Sequence, residues 1–212
     1  MQGLSFETIS QLPADTINAL FDFALSQANN AIIAGGYDPA ILPEKSTSFK
    51  KGFIRVSAKL KDGTVEGLSD ITRIGDVNVD ETSGNSGFQF SGKLGISQSK
   101  ATYTASVSGG KLISKSVNAV AFIDNVGMSY EIETCDDCPM TLTKLKITVG
   151  KIDVNIKGLG VLGKHLGKVT SLASNEIKGY IISTYKEEVA NEIQKTLDDI
   201  GPLSLSTFLL TG

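Results

Sequence analysis

The last third of the chain carries an apolar repeat that few folds can hold. Leu162, Leu166, Val169, Leu172, Ile177, Tyr180, Ile181, Tyr185, Val189, Ile193, Leu197 and Ile200 keep a helical rhythm for roughly 40 residues. A helix of that length presents an apolar stripe along its whole extent, and the rest of the chain must cover it. Gly163, Gly167 and Gly179 interrupt the pattern. Each costs on the order of 1 kcal/mol relative to Ala inside a helix, so a bend or break is expected near one of them. Gly201-Pro202 predicts the stop, with PLSLSTFLL left as a short strand or packed tail.

The cover comes from the middle of the chain, where the period changes from 3.6 to 2. In FIRVSAKLK, Ile54, Val56, Ala58 and Leu60 alternate with Arg55, Ser57, Lys59 and Lys61. In GFQFSGKLGIS, Phe88, Phe90, Leu94 and Ile96 share one face, and Gln89, Ser91 and Lys93 the other. ATYTASV, SKSVNAVAFID, VGMSYEIET and MTLTKLKITVGKIDVNIK continue the style, separated by polar, Gly-rich turns. Short connections predict an antiparallel meander with one apolar face. Ahead of it, Ile17, Leu20, Phe21, Ala24, Leu25, Ala28 and Ile32 predict an amphipathic helix from Pro13 to about Ala34, stopped by Gly35-Gly36. The expected class is α+β, one sheet and two helices to cover it, as a single domain over residues 1–212.

Composition removes several functions. A formal charge of -3 gives no electrostatic reason to expect nucleic acid. The 20 Lys and Arg are scattered along the chain, with no block suited to anionic lipid. No apolar run approaches the roughly 20 residues that span a bilayer. MQGLSFETIS has neither a basic n-region nor an apolar h-region, which leaves a cytosolic protein or a mature secreted chain.

The segment GLGVLGKH, residues 158–165, holds the glycines of a dinucleotide-binding turn and most of a P-loop. A dinucleotide fold needs a further parallel strand ending in an acid about 20 residues later, and SNEIKGYIISTYKEEVANEI is helical instead. His165 stands where a P-loop needs a Mg²⁺-binding hydroxyl. Gly158 and Gly160 are therefore expected to make a strand-to-helix turn, with Gly163 and Gly167 letting the helix start lie close to the sheet.

Other chemistry is thin. Two Cys and one His cannot build a zinc site without carboxylates such as Asp136 and Asp137, so no metal and no cofactor are expected. Cys135 and Cys138, in CDDC, lie between two strand patterns and not at a helix start, which argues against a redox motif. A disulfide there closes a small loop, adds little stability, and if formed argues for an oxidising compartment. His165 has no GxSxG or cysteine partner to activate. No catalytic residue is assigned.

Apolar surface is what stands out. Small residues on the expected inner faces (Ala58, Gly92, Ala101, Ala105, Ala119, Ala121) leave room between sheet and helix. Periodicity assigns the lining of such a space to Phe21, Leu25, Phe88, Phe90, Leu94, Ile96, Val169, Leu172, Ile177 and Ile181, with Tyr103 or Tyr130 as polar handles.

The loop DPAILPEKSTSF, the run VEGLSDITRIGDVNV and the segment MTLTKLKI resemble the house-dust-mite group 7 allergens and their arthropod relatives. The order of features agrees over nearly the whole length, although CDDCP, the Lys of GLGVLGKH and the tail PLSLSTFLLTG depart from the pattern. That family is similar in fold to half of a bactericidal permeability-increasing protein, and to juvenile-hormone-binding and Takeout proteins. The resemblance implies a curved antiparallel sheet wrapped around a long C-terminal helix, an apolar ligand tunnel between them, secretion, and no enzymatic activity. The expectation is thus a secreted, non-enzymatic carrier of a small hydrophobic molecule such as a terpenoid, carotenoid, retinoid or fatty acid. The alternative is an interaction protein with a filled core and an exposed apolar end that engages microbial lipid or a protein partner. Oligomeric state is not readable from the sequence.

Overall fold

The computed structural model describes residues 11–51, 53–82, 87–109, 113–135, 138–159 and 166–211. Helix α1 spans Ala14–Ala34, with Asp15 in its first turn against the positive end of the helix dipole. Its end is closed by two bonds, from the Gly36 N–H to the Ile33 carbonyl and from the Tyr37 N–H to the Ile32 carbonyl, each 3.0 Å. Gly36 has φ +77°, the left-handed position this closing turn requires.

Ten strands follow: β1 (Ala40–Leu42), β2 (Lys45–Lys51), β3 (Ile54–Glu66), β4 (Thr72–Glu81), β5 (Gly87–Ile96), β6 (Ser99–Gly109), β7 (Ile113–Ile123), β8 (Val126–Cys135), β9 (Thr141–Val149) and β10 (Ile152–Ile156). They form two antiparallel sheets where a single meander was expected. The first has the order β1-β3-β6-β7-β10, with β2 also on β3; the second is β4-β5-β8-β9. Hairpins alternate between them: β4–β5 and β8–β9 belong to the second sheet, β6–β7 to the first. Between β5 and β6 the chain changes sheet in two residues, and again between β7 and β8. A short link permits a hairpin but does not require one, so turn length could not reveal the exchange.

The C-terminal helix is α2 (Leu166–Tyr180), a π-helical turn (Ile181–Tyr185) and α3 (Lys186–Thr211). The expected interruption falls just past Gly179, whose carbonyl accepts the Ser183 hydroxyl at 2.6 Å. The predicted stop at Gly201-Pro202 is not observed: α3 continues to Thr211. Proline removes one ladder bond and can be carried inside a helix. The assembly is roughly 70 Å long at 1.5 Å per residue. Its α2 part crosses the first sheet at β1, β6 and β10, and α3 lies against β9 and α1. The α+β class and the sheets wrapped about a long helix are as expected.

Buried side chains from both sheets and all helices form one continuous core. At its centre Tyr185, in the π turn, is fully buried and its hydroxyl donates to the Leu68 carbonyl. Leu68 belongs to the link between β3 and β4, where the chain passes from one sheet to the other. Asp38 holds the same link, accepting from the Gly67 N–H at 2.9 Å, the Ser69 N–H at 2.7 Å and the Ser69 hydroxyl at 2.6 Å. Both helices also reach the outer strands of the second sheet. Asn18 of α1 accepts from the Val77 N–H at 3.0 Å and donates to Asp76 at 2.9 Å. Gln194 of α3 accepts from the Leu142 N–H at 2.8 Å and donates to the Met140 carbonyl at 2.9 Å.

Of the glycine segment, Gly158 follows β10 with φ +90°, the left-handed region that favours glycine. Gly160, Gly163 and His165 lie outside the described residues. Gly167 does not serve close packing, because a Cβ there would meet nothing within 4 Å. Cys135 and Cys138 are joined in a disulfide. Asp136 and Asp137, considered as metal ligands, lie outside the described residues.

Candidate ligand cleft

The inner face of the second sheet and the two helices that roof it enclose an apolar cleft of about 40 Å³. Helix α1 contributes Leu20, Phe21, Ala24, Leu25 and Ala28 from its single apolar stripe. Strands β5 and β8 contribute Leu94, Tyr130 and Ile132, and α3 contributes Ile193, Thr196 and Leu197, with Met140 from the approach to β9. The Gln194 bonds to β9 fix α3 at the rim. The other rim is fixed by Arg73 of β4, whose Nε and Nη2 donate to the two carboxylate oxygens of Asp22 on α1 at 3.0 and 2.9 Å.

Aromatic rings make the floor. Phe21 meets Phe90 edge-on at 5.1 Å between centroids and stacks on Tyr130 at 5.8 Å, and Phe88 meets Phe90 edge-on at 5.3 Å. Gly92, opposite Tyr130 in the β5–β8 register, leaves space for the phenol: a Cβ there would lie 2.7 Å from the Tyr130 oxygen. That oxygen is buried and has no hydrogen-bond partner among the described residues. Burial pushes its pKa up; the nearby Arg73 draws it back and Asp22 raises it further.

Of the residues assigned from periodicity, the structure brings Phe21, Leu25, Leu94 and Tyr130 to the cleft, with Phe88 and Phe90 beneath them. Ile96 is buried farther along β5 and does not line it. Val169, Leu172 and Ile177 belong to α2, the part of the helix over the first sheet, where Val169 and Ile177 are fully buried; Ile181, also fully buried, opens the π turn, which lies against β9 of the second sheet. Tyr103 also belongs to the first sheet, its hydroxyl donating to the Pro43 carbonyl at 3.2 Å. A Cβ at Gly63 would strike its ring at 2.2 Å. The small inner-face residues do not border the cleft. Ala58, Ala101, Ala105, Ala119 and Ala121 are buried on the sheet α2 crosses, and Tyr130 occupies the room above Gly92. Leu20, Ala24, Ala28, Ile132, Met140, Ile193, Thr196 and Leu197 were not assigned. The apolar rhythm holds Leu20, Ala24, Ala28, Ile193 and Leu197, but no periodicity tells which half of a long helix roofs a cleft.

Burial, above all, raises the phenols of Tyr103, Tyr130 and Tyr185 above the usual 10.0, with Glu176 adding to the effect at Tyr103 and Asp38 at Tyr185. The unfolded chain therefore loses these protons first. Stability from this source is complete below about pH 10 and falls as pH rises beyond it. Urea denaturation followed across that range should show a steep loss, and Tyr185→Phe should flatten it by up to about 1.4 kcal/mol per pH unit.

Among the described residues, no group of acids, Cys and His is placed to hold a metal ion, and no helix is long and apolar enough to cross a membrane. No curated protein matches the sequence. Among solved structures, the chain is similar to a lipopolysaccharide binding protein, with 16% identity and a TM-score of 0.48 over 88% of this chain and 38% of that one. It spans well under half of that protein. It is also similar to Takeout 1 of Epiphyas postvittana, with 15% identity and a TM-score of 0.38 over 92% of both chains. The Group 7 allergen family model matches residues 16–197, nearly the full extent of both sheets and their helices, and the chain belongs to that family.

Proposed function

We propose that the protein is a non-enzymatic carrier that takes a small hydrophobic molecule into the cleft between α1, α3 and the second sheet. One observation carries this reading: an apolar cleft whose wall includes a buried phenol with no hydrogen-bond partner among the described residues. A buried polar group left unpaired costs about 1–3 kcal/mol, and a ligand with an apolar body and one hydrogen-bonding group offsets that cost. Terpenoids, retinoids, oxygenated carotenoids and fatty acids all fit this description. At about 40 Å³ the cleft holds only a few water-sized groups. Ligand pockets usually measure about 300–1,000 Å³, so entry requires α1 to swing away from α3. Secretion is part of the proposal, supported by the Cys135–Cys138 disulfide.

A fluorescent fatty-acid probe tests the reading. Leu25→Trp fills the cleft from a half-buried wall position and should weaken uptake at least about tenfold, roughly the loss of one well-packed side chain's worth of space. Tyr130→Phe should weaken the acid probe about fivefold and leave a pure hydrocarbon probe unchanged, while raising the melting temperature of the empty protein. Extraction and mass spectrometry of protein from its natural source then identify the cargo.

The small volume favours a second reading, an interaction protein with a filled core. Absence of probe uptake together with a clean extract would sink the carrier and leave that one.

A further inference from the structure

Residues 45–61, 100–123 and 154–175 hold twelve Lys and Arg and no Asp or Glu, in a chain with 23 acids and 20 cations overall. Lys45, Lys59 and Lys100 are paired with Glu176, Glu44 and Glu66 away from the β2–β3 tip, but parts of these stretches that are distant in sequence meet at one end of the first sheet. Lys50 pairs with Arg55 at the end of the β2–β3 hairpin, Val56 with Gly109, and Gly109 with Ile113. Strand β10 ends with Ile156 beside Ala119, and Gly158 continues along β7 to within contact range of Val117. The start of α2 arrives at the same end, with Lys168 Nζ 4.1 Å above the Phe49 ring. Lys50, Arg55, Lys115, Lys157 and Lys168 are all exposed there. The balancing carboxylates occupy the other end of the sheet: Asp62 and Glu66 late on β3, Asp124 beyond β7.

Phe53, between β2 and β3, is fully exposed at 110%. Single exposed apolar side chains are ordinary. Here, though, the most exposed large one among the described residues stands at the tip of a cationic end. We propose that this end is a peripheral docking surface for membranes containing anionic phospholipid, with the Lys and Arg side chains against the headgroups and the Phe53 ring in the interface. A bilayer offers both halves of the match, anionic charge and an adjoining apolar layer. A soluble anion offers nothing to Phe53. Lys168 and Ile193 lie about 40 Å apart along the helix, so the surface is separate from the cleft and does not rest on ligand binding.

The chain contains no tryptophan, so Phe53→Trp in the full chain gives a single reporter. With vesicles of phosphatidylcholine and about one-third phosphatidylserine, its emission should move to shorter wavelength, and with phosphatidylcholine alone it should not. Flotation of the unaltered chain should fall steeply between about 0.1 and 0.5 M NaCl, because the Debye length contracts. The double variant K50E/R55E should lose about 20-fold or more in vesicle partition, since each cation near an anionic surface contributes about fivefold. Phe53→Ser should lower partition while keeping the salt dependence. All these positions are exposed, and unchanged melting curves check folding. An unshifted tryptophan spectrum, salt-independent flotation, or undiminished partition of K50E/R55E would each overturn the proposal. Binding to heparin without binding to vesicles would also overturn it, and would assign the cationic end to a soluble polyanion.

Discussion

Tyr185→Ala should lower the unfolding free energy by about 3–5 kcal/mol, the range for removing a large buried aromatic side chain. On a chain of this size that corresponds to a fall in melting temperature of on the order of 10 °C. Tyr185 is fully buried and joins elements 117 residues apart. Its ring fills the core under the π turn, and its hydroxyl satisfies the carbonyl of Leu68 in the link that Asp38 also secures. Tyr185→Phe separates the two contributions. It keeps the ring and orphans the carbonyl, so about 1–3 kcal/mol should be lost. Urea denaturation of both variants, with the slope against denaturant unchanged, provides the measurement. If Tyr185→Phe equals the wild type, the hydroxyl does not hold the link and only the ring matters.

Phe21→Ala should have an effect of similar size, about 3–5 kcal/mol, and a different distribution. Phe21 is the aromatic contact of α1 with the second sheet, edge-on to Phe90 and stacked on Tyr130. Its loss leaves α1 tied to β4 by the Asn18 bonds and the half-exposed Arg73–Asp22 pair. Such a partly solvated pair contributes only about 0–1 kcal/mol. Hydrogen exchange should therefore rise first along residues 14–34, while the amides of β5 and β8 stay protected. Uniformly faster exchange over both sheets would mean that α1 is part of the global folding unit and does not open by itself, which would also close the proposed entry route.

Periodicity made most of the architecture legible. The stripe from Ile17 to Ile32, the alternation of Val56, Ala58 and Leu60, and the four-residue spacing of Ile181, Tyr185, Val189, Ile193 and Leu197 are all buried faces. In a straight α-helix a four-residue spacing drifts by about 40° per step, and the widened π turn takes up part of that drift. Inter-strand partners were not legible, because alternation states which face is buried and says nothing about the neighbour. Hence Phe90 could be assigned to an inner face but not to the sheet it shares with Ile132. The cleft was half legible for the same reason: α1 residues were found, whereas Ile193 and Leu197 carry the same helical signal as Val169 and Ile177, which cover another sheet. Scattered cations concealed the basic end, since the β3–β6 and β7–β10 registers bring together what the chain order separates.

The two amide side chains that reach the second sheet bear on self-association. An outer strand with open N–H and C=O groups is a template for another chain. Gln194 occupies the Leu142 N–H and the Met140 carbonyl on one side, and Asn18 occupies the Val77 N–H on the other. Each long helix thus sets an amide side chain against an edge, Gln194 on two backbone groups and Asn18 on one, and a strand from a second molecule finds those groups taken. Protection against edge-to-edge aggregation is in this way coupled to helix docking: whatever loosens α1 or α3 also uncovers a strand.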